Sequence, residues 1–411
     1  MYKFSNYEKI FINMAKNYVL VYPKHSFQFH FDDFKYPLVG KSKSTVNVKF
    51  KNSKEVFDRI FKEGSIGLGE CYCEGLINVV DKDYKYFLLM IVRTVYDKRL
   101  QSKLSFLDKF EIVKAKAISK FFTSKNQHKD INSHYSLNHW FSRDQDANQF
   151  YFYWLKSKYI QYTCAKWDKN TKTLEQAQKN KFNFYAKRLG ISKKSKNKKM
   201  LDLGCGWGGL MFYFAEHFGI DCTGITLSTA QSDYIKKEAK KRKLNHLVKV
   251  KNINAHDMQG EYDFITSVGL LEHIDDYDDL YKKSSKHLKK GGKALFHAMF
   301  HEDTQDDPDP FLSKYIFPGG CVTNINKSIK IFKKYFKSVD RNNLPDLSYP
   351  KTLDCWYKKF CQHELEIRKL LKNKSKCKDI DFAIRVFKHY LILSYCGLTV
   401  NGLVCNVLVK K

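Results

Sequence analysis

Residues 199–209 read Lys-Met-Leu-Asp-Leu-Gly-Cys-Gly-Trp-Gly-Gly, and they combine a short strand, a glycine-rich turn and the start of a helix. The apolar side chains of Met200, Leu201 and Leu203 are typical of a strand that is covered on both faces. The glycines let the main chain turn sharply and approach a ligand closely. The positive end of the following helix favours an electron-rich ligand at the same place. Because open α/β sheets bind nucleotides at such turns, this stretch predicts a nucleotide-type cofactor.

The chain after residue 173 alternates between helical and strand patterns. Strands are predicted near residues 199–203, 220–226, 247–252, 262–267 and 293–299, with helices between most of them. Parallel strands joined by helices pack into layers with the sheet in the middle. The pattern therefore predicts an α/β fold with a doubly wound, mostly parallel sheet.

The C-terminal end contains a long uncharged run. Residues 391–409 carry no charged side chain, and a run of this length is long enough to cross a membrane. Asn401 and Gly402 interrupt it between two β-branched stretches, and this dipeptide is a strong hairpin signal. We therefore predict a C-terminal antiparallel hairpin at the sheet edge, in a soluble protein.

The N-terminal region, residues 1–125, is predicted to form a smaller α+β domain. Strand and helix patterns follow one another there, near residues 27–31, 46–50, 54–63 and 83–99. Residues 122–133 are polar and aperiodic, which is typical of a linker. Residues 126–411 would then form a second, catalytic domain, with a helical lid around residues 140–154.

The composition is strongly basic. Lys and Arg together number 73 against 43 Asp and Glu, which gives a net charge of +30. This charge indicates an anionic partner, nucleic acid or an acidic membrane surface, although a compositional bias toward lysine is an alternative explanation. The excess of Lys over Arg weakens the case for nucleic acid.

The cysteines indicate a reducing cytoplasm. Eleven of them are irregularly spaced, without a Cys-x-x-Cys pair, which argues against disulfides and a zinc site.

The glycine pattern alone fits two kinds of cofactor. Gly204, Gly206 and Gly209 satisfy the dinucleotide pattern Gly-x-Gly-x-x-Gly. A dinucleotide site also needs an acidic residue at the end of the second strand, where residues 224–228 read Gly-Ile-Thr-Leu-Ser. Asp202, inside the strand before the glycines, resembles the arrangement in enzymes that use S-adenosylmethionine. S-adenosylmethionine is therefore favoured over NAD.

A specific family resemblance begins at the second strand. Residues 224–231, Gly-Ile-Thr-Leu-Ser-Thr-Ala-Gln, resemble a motif of the cyclopropane-fatty-acyl-phospholipid synthases and their mycolic acid relatives. Further motifs of that family match in the same order, at residues 64–75, 162–167, 174–181, 267–273, 295–297, 314–321 and 349–357. The resemblance implies the fold of class I methyltransferases that use S-adenosylmethionine.

The resemblance also implies a reaction and a set of site residues. The reaction is methylene addition across a cis double bond of a phospholipid acyl chain, with S-adenosylmethionine as carbon donor and a bound bicarbonate ion as base. The implied catalytic residues are Cys164, Glu272, His297 and Tyr349. The implied cofactor-binding residues are Tyr162, Thr163, Asp202, Gly204, Gly206, Thr226 and Gln231. Taken alone, each catalytic candidate has a structural alternative, because a lone cysteine or histidine is often a core residue.

Three departures from the family pattern leave the substrate open. Ser136 stands where the family usually has Asp, within a segment, residues 134–162, that is longer than usual. Ala255 replaces an aromatic residue expected at the adenine, a role that His256 could take instead. Residues 397–399 lack an expected arginine. A methyl-branched lipid, or methylation of a small-molecule amine as in plant alkaloid N-methyltransferases, remains an alternative.

The N-terminal region is expected to dock on an anionic membrane surface, because it is basic and rich in aromatic residues. A role in folding alone is the alternative. The sequence thus predicts a cytoplasmic enzyme that associates peripherally with the inner membrane and binds unsaturated phospholipid. Nucleic acid and metal ions are not expected as partners, since no arginine-rich groove and no metal motif is visible. A homodimer is compatible with the sequence.

Overall fold

The computed structural model describes residues 2–123, 141–302 and 309–411, without the side chains of residues 116–123 and 144. The chain divides into two compact units, each assembled from three segments. The first unit comprises Met1–His128, Asp307–Pro318 and Cys377–Asn401, and the second comprises Lys129–Asp306, Gly319–Lys376 and Gly402–Lys411. The division near residue 128 lies close to the predicted boundary at 125–126. Two later segments, which the sequence had assigned to the catalytic domain, join the first unit.

Helices and strands are numbered in chain order. The helices are α1 (Asn6–Val21), α2 (Ser53–Glu63), α3 (Ser65–Cys73), α4 (Asp81–Tyr96), α5 (Lys98–Gln101), α6 (Phe106–Thr123), α7 (Asp144–Leu155), α8 (Leu174–Leu189), α9 (Gly209–Phe218), α10 (Thr229–Lys241), α11 (Tyr277–His287), α12 (Pro310–Tyr315), α13 (Ile325–Tyr335), α14 (Ser348–Gln362), α15 (Glu364–Lys374) and α16 (Ile380–Asn401). The strands are β1 (Ser26–Phe31), β2 (Phe34–Lys35), β3 (Thr45–Phe50), β4 (Ile77–Val79), β5 (Lys199–Leu203), β6 (Asp221–Thr226), β7 (Val248–Asn252), β8 (Tyr262–Val268), β9 (Leu288–His301), β10 (Thr323–Asn324), β11 (Ser338–Asn343) and β12 (Leu403–Lys410).

The first unit is an α+β fold, as predicted. Its sheet has the order β2-β1-β3-β4, with β1 and β3 parallel and the other pairs antiparallel. Phenylalanine side chains fill the space between the sheet and the helices. The ring of Phe11 in α1 lies 4.8 to 5.6 Å from those of Phe29, Phe50 and Phe57. Such aromatic pairs contribute both buried area and a preferred edge-to-face geometry.

The second unit contains the predicted doubly wound sheet. Its strand order is β11-β12-β9-β8-β5-β6-β7, and β10 pairs with β9. The pairs among β5 to β9 are parallel, whereas β12 is antiparallel to both β9 and β11. The five strands expected from the sequence are all present, so the mostly parallel α/β sheet is confirmed. Strand β5, which lies between β8 and β6, leads into the glycine turn.

The C-terminal antiparallel pair forms differently from the prediction. The turn expected at Asn401 and Gly402 is wrong, because residues 398–400 belong to helix α16 and β12 pairs instead with the distant β11. Leu391, Ile392 and Cys396 of this helix are fully buried, and α16 packs on α3 and α4. Burial against these helices overrides the β preference of the local sequence. Among the described helices, none is long and apolar enough to span a bilayer.

Candidate active site

The glycine turn after β5 forms one wall of the candidate site. Gly204, Gly206 and Gly208 adopt the left-handed region, with φ of 71°, 54° and 75°. A larger residue would be strained in this conformation, so the turn requires glycine. Gly209 begins α9, and a Cβ atom there would lie 2.2 Å from the carbonyl oxygen of Ile160. The turn is therefore packed directly against the main chain of a second segment.

A cavity of about 370 Å³ lies at this turn. Its lining includes all seven residues predicted to bind the cofactor: Tyr162, Thr163, Asp202, Gly204, Gly206, Thr226 and Gln231. Five of them lie at or just after the carboxyl ends of β5 and β6, the edge at which parallel sheets bind ligands. Sequence reasoning missed other lining residues: Trp207, Leu270, His273, Asp275 and Asp276. Four of these follow β8, at the same sheet edge. Their place directly after a predicted strand is the sequence signal that could have identified them.

The polar wall of the cavity is held by its own hydrogen bonds. The Thr266 hydroxyl donates to Asp202 Oδ1 at 2.7 Å, and the Thr226 hydroxyl donates to Gln231 Oε1 at 2.7 Å. Burial raises the pKa of Asp202 to about 7, while the Thr266 hydrogen bond and the charge of Lys181 act in the opposite direction. These side chains are thus held in place by contacts within the protein, which lowers the entropy cost of binding a ligand.

Helix α8 holds the segment that carries Tyr162 and Thr163. The Lys181 ammonium donates to Thr163 Oγ1 at 2.6 Å and to Gln161 Oε1 at 3.0 Å. Gln178 Nε2 donates to the Thr163 carbonyl oxygen at 3.0 Å. Lys181 is fully buried, and burial lowers the pKa of its ammonium to about 7. In the sequence Lys181 is only the last residue of a matched motif, so this contact was not predicted.

Aromatic side chains surround Tyr162. Its ring centroid lies 5.3 Å from those of Trp154 and Trp356, and 5.7 Å from that of Tyr151. Tyr151 and Trp154 belong to α7, whereas Trp356 belongs to α14. The faces of such rings attract positive charge. This part of the site is therefore suited to a cationic group such as a sulfonium.

Glu272 follows β8, and His297 lies in the neighbouring strand β9. Glu272 lies in the turn after β8, and its Oε1 accepts a hydrogen bond from the Met299 main-chain N–H of β9 at 2.8 Å. Glu272 Oε2 and His297 Nδ1 are buried and have no hydrogen-bond partner within the described residues. Burial raises the pKa of Glu272 to about 7 and lowers the pKa of His297 to about 3. Buried polar atoms without partners indicate a place for a small polar ligand.

Cys164 and Tyr349 lie on adjoining segments. The main-chain N–H of Ala165 donates to Thr352 Oγ1 at 3.1 Å, and Tyr349 lies in the same first turn of α14 as Thr352. Cys164 is buried, with its Sγ 3.3 Å from the Ala165 carbonyl oxygen. Burial raises the pKa of the Cys164 thiol. The thiol therefore stays protonated, which suits positioning and not nucleophilic attack.

Lys181 and Tyr185 of α8 approach these catalytic candidates. The charge of Lys181 acts on the pKa of both Cys164 and His297. The Tyr185 ring lies 5.8 Å from that of His297, and its buried hydroxyl has no hydrogen-bond partner in the described part of the chain. Tyr185 was not predicted from the sequence. The 370 Å³ cavity is not itself lined by the four catalytic candidates, Cys164, Glu272, His297 and Tyr349.

The predicted lid is described from residue 141 onward, as helix α7, whereas Ser136 lies outside the described residues. The Asn148 amide carbonyl of α7 accepts a hydrogen bond from Trp207 Nε1 at 2.7 Å. Trp207 belongs to the glycine turn. The described part of the lid segment therefore contacts the turn through a buried side-chain hydrogen bond.

The other departures from the family pattern fall in two places. Ala255 and His256 both line the cavity, and His256 Nδ1 lies 2.6 Å from Asp279 Oδ2. The Asp279 carboxylate thus orients the His256 imidazole. The family pattern predicts an aromatic residue at the adjacent position, which is Ala255 here. Residues 397–399 lie in α16 and belong to the first unit. All eleven cysteines are free thiols.

Comparison with known proteins identifies the family. The model of the mycolic acid cyclopropane synthetase family matches residues 122–404. The chain belongs to this family. It is 29% identical over 356 residues to the cyclopropane-fatty-acyl-phospholipid synthase of Escherichia coli (strain K12), covering 86% of this chain and 84% of that protein. It is also 27% identical over 238 residues to (S)-coclaurine N-methyltransferase of Papaver somniferum, covering 56% of this chain and 66% of that one.

Solved structures of this kind share the fold. A cyclopropane synthase of Mycobacterium tuberculosis superposes with a TM-score of 0.59 at 23% identity, over 68% of this chain and 97% of that one. A coclaurine N-methyltransferase bound to N-methylheliamine and S-adenosylhomocysteine gives 0.61 at 21% identity, over 85% of this chain and all of that one. The predicted family and the class I methyltransferase fold are thus confirmed. The chain is a methyltransferase that uses S-adenosylmethionine.

Proposed function

We propose that this enzyme transfers a methylene group from S-adenosylmethionine to the cis double bond of an unsaturated phospholipid acyl chain and so forms a cyclopropane fatty acid. The observation that carries the proposal is the buried pair of unpartnered polar atoms, Glu272 Oε2 and His297 Nδ1. Glu272 lies between the cavity residues Leu270 and His273, and His297 is the β9 partner of the cavity residue Val268. The likeness to the Escherichia coli synthase supports the same reaction.

The cofactor fits the chemistry of the cavity. The seven cavity residues predicted from the sequence would hold S-adenosylmethionine, with its amino-acid part at Asp202 and the glycines and its ribose at Thr226 and Gln231. A Cβ atom added at Gly206 would have no described atom within 4 Å, so the space beside this glycine is open to a ligand. When bound, S-adenosylmethionine supplies an electrophilic methyl carbon on a sulfonium. The aromatic ring of Tyr162 would stabilise that positive charge.

The residues proposed to hold bicarbonate are Cys164, Glu272, His297 and Tyr349. Glu272 Oε2 can accept a hydrogen bond from the hydroxyl of such an ion, and the imidazole can contact an oxygen atom. Bicarbonate would supply a base at this position. Glu272 is itself fixed by the Met299 N–H, so its free oxygen has a defined direction.

The remaining work of the protein is to protect a positive charge on the lipid. An alkene is a weak nucleophile, and gaining a methyl group leaves a carbocation on the acyl chain. Water must be excluded, since it would capture that cation. Trp154, Trp356 and Tyr151, whose rings pack around Tyr162, would provide an apolar wall with ring faces that stabilise positive charge. The neighbouring proton acceptor would then remove a proton from the new methyl group and close the ring.

Lipid mass spectrometry of cells expressing the chain tests the reaction. We expect the unsaturated acyl chains of phospholipids to become one CH2 group heavier. The product should resist catalytic hydrogenation, because a cyclopropane ring resists it and an alkene does not. The Glu272→Gln variant should give none of this product, whereas Glu366→Gln, at an exposed position, should act like the wild type. A heavier product that takes up hydrogen would instead indicate a methyl-branched, unsaturated lipid.

The alternative function is methylation of a small-molecule amine, which the likeness to (S)-coclaurine N-methyltransferase favours. Incubating purified enzyme with S-adenosylmethionine and a benzylisoquinoline amine would detect this activity.

In the main proposal the enzyme acts in the cytoplasm, at the inner membrane, where an anionic surface attracts its net charge of +30. Transfer to the amine but not to lipid vesicles would overturn that proposal.

A further inference from the structure

Helix α6 exposes a continuous row of large apolar side chains. The exposed fractions are 82% for Phe106, 73% for Leu107, 56% for Phe110 and 63% for Val113. Their spacing of three and four residues places them on one face of the helix. We call this row the α6 stripe. Exposed apolar residues grouped in this way mark an interaction site, whereas single ones are common on any surface.

The opposite face of α6 is packed within the first unit. Asp108 is buried, and Glu111, Ile112 and Ala115 are partly buried. The helix contacts α2 and α12. The amphipathic pattern of this part of α6 is thus inverted, because the polar Asp108 faces the protein and Phe106 and Phe110 face outward. Elsewhere in the described residues, the other exposed large apolar side chains occur singly along the sequence: Leu20, Leu38, Val80, Tyr96, Leu347 and Leu365.

Basic side chains border the stripe. Lys98, Lys103, Lys109 and Lys114 are exposed before and along the helix. The nearby acidic residue Glu111 has its carboxylate 3.8 Å from the Lys114 ammonium, so that its charge is offset locally. A helix with exposed phenylalanine and leucine between lysines is typical of segments that lie in the interface of an anionic bilayer.

We propose that the α6 stripe inserts into the surface of an anionic phospholipid bilayer, with the lysines at the phosphate groups. This inference rests on the proposed function, because the lipid substrate resides in that bilayer. A second copy of the chain is a poorer occupant. A two-fold contact through the same patch would bring the two lysine borders together, and like charges would oppose it.

Vesicle sedimentation tests the surface directly. Wild-type protein is mixed with vesicles of phosphatidylcholine alone or with about one third phosphatidylglycerol. We expect binding that rises with the anionic lipid and falls with salt. The double variant Phe106→Ser, Phe110→Ser should bind about tenfold or more weakly. The matched control Leu365→Ser, equally exposed on α15, should bind like the wild type.

The lysine border has its own test. Lys109→Glu with Lys114→Glu should remove the preference for phosphatidylglycerol, whereas Lys236→Glu with Lys240→Glu, at exposed positions of α10, should preserve it. Circular dichroism and light scattering verify that each variant is folded and report its oligomeric state. Vesicle binding that is unchanged in the stripe variant would overturn the inference. A dimer that dissociates in the stripe variant, with vesicle binding intact, would assign the stripe to a second copy and overturn it as well.

Activity separates this inference from the proposed function. The stripe variant should lose methylene transfer to vesicles but retain it on unsaturated phospholipid dispersed in detergent micelles, since the catalytic residues are untouched. Equal loss on both substrates would contradict a docking role. If the wild type modified neither substrate while the stripe still governed vesicle binding, the proposed reaction would fail and the docking surface would stand.

Discussion

Lys181 is the residue on which the geometry of the cofactor segment most depends. Its buried ammonium donates to Gln161 Oε1 and Thr163 Oγ1, both neutral oxygens. Burying a charge away from water is costly, and here burial lowers the pKa of Lys181 to about 7. A lysine kept in such a place contributes little to stability. Its position is better explained by the segment that it holds against the cavity.

We predict that Lys181→Met weakens binding of S-adenosylhomocysteine about tenfold, because two hydrogen bonds to the 161–163 segment are lost. The free energy of unfolding should not fall, since the buried charge is removed as well. Calorimetric titration and thermal unfolding measure the two effects. Lys179→Met, at an exposed position of the same helix, should change neither. Reduced stability with unchanged affinity would show a structural role instead.

Glu272 makes the stability of the enzyme depend on pH. Its folded pKa is raised to about 7, above an unfolded value of about 4.3. Between these values the folded state binds more protons, so this contribution to stability is complete below about pH 4 and is lost as the pH rises through about 7. Glu272→Gln should therefore match the wild type in melting temperature near pH 4.5 and exceed it near pH 7.5. A difference that is constant with pH would exclude this ionisation.

At the scale of elements, the contact between the start of α9 and the segment at Ile160 fixes the shape of the site. A Cβ atom at Gly209 would meet the Ile160 carbonyl oxygen at 2.2 Å, a distance that requires main-chain movement. The helix start and the Tyr162 segment must therefore approach each other closely. The glycine turn serves this packing as well as the cofactor, since α9 begins immediately after the left-handed Gly208.

Gly209→Ala should consequently move the 160–163 segment and abolish measurable cofactor binding. The cost in unfolding free energy should be about 1–3 kcal/mol, as for other overpacked sites. Gly397→Ala is the matched control, because the residue is helical and an added Cβ atom would meet nothing within 4 Å in the part of the chain that the structure describes. That control should be neutral or slightly stabilising. Normal affinity for S-adenosylhomocysteine in Gly209→Ala would contradict the packing argument.

At the scale of the whole molecule, the two units are interleaved along the chain. Six alternating segments form them, so the chain passes between the units five times. The first unit depends on the late helix α16. Arg385 donates to the Tyr72 carbonyl oxygen at 2.8 Å, and the Lys388 ammonium lies 2.7 Å from Asp81. An N-terminal fragment therefore lacks part of its own core.

A fragment of residues 1–125 should fail to unfold cooperatively, because the apolar faces of α3 and α4 lose the cover of α16. A single chain that joins residues 377–401 to this fragment through a flexible linker should regain a sharp transition. Circular dichroism during heating distinguishes the two. A cooperative transition in the 1–125 fragment alone would show that this region folds without the later helix.

The sequence by itself determined the α/β sheet, the glycine turn and seven of the residues that line the cofactor cavity. These features depend on local chemistry: hydrophobic period, positive φ at glycine, and the position of Asp202 and Thr226 at strand ends. Their information lies within short stretches, so it can be read without knowing the distant parts of the chain.

Only the tertiary structure decided that residues 398–400 are helical, that β12 pairs with β11, and that Lys181 and Tyr185 face the catalytic candidates. Each outcome depends on partners far away in sequence. The apolar run in α16 takes its conformation from the helices that bury it, and the pKa of Lys181 is set by the dry surroundings that folding creates. Neither burial nor long-range pairing has a signature in a local pattern.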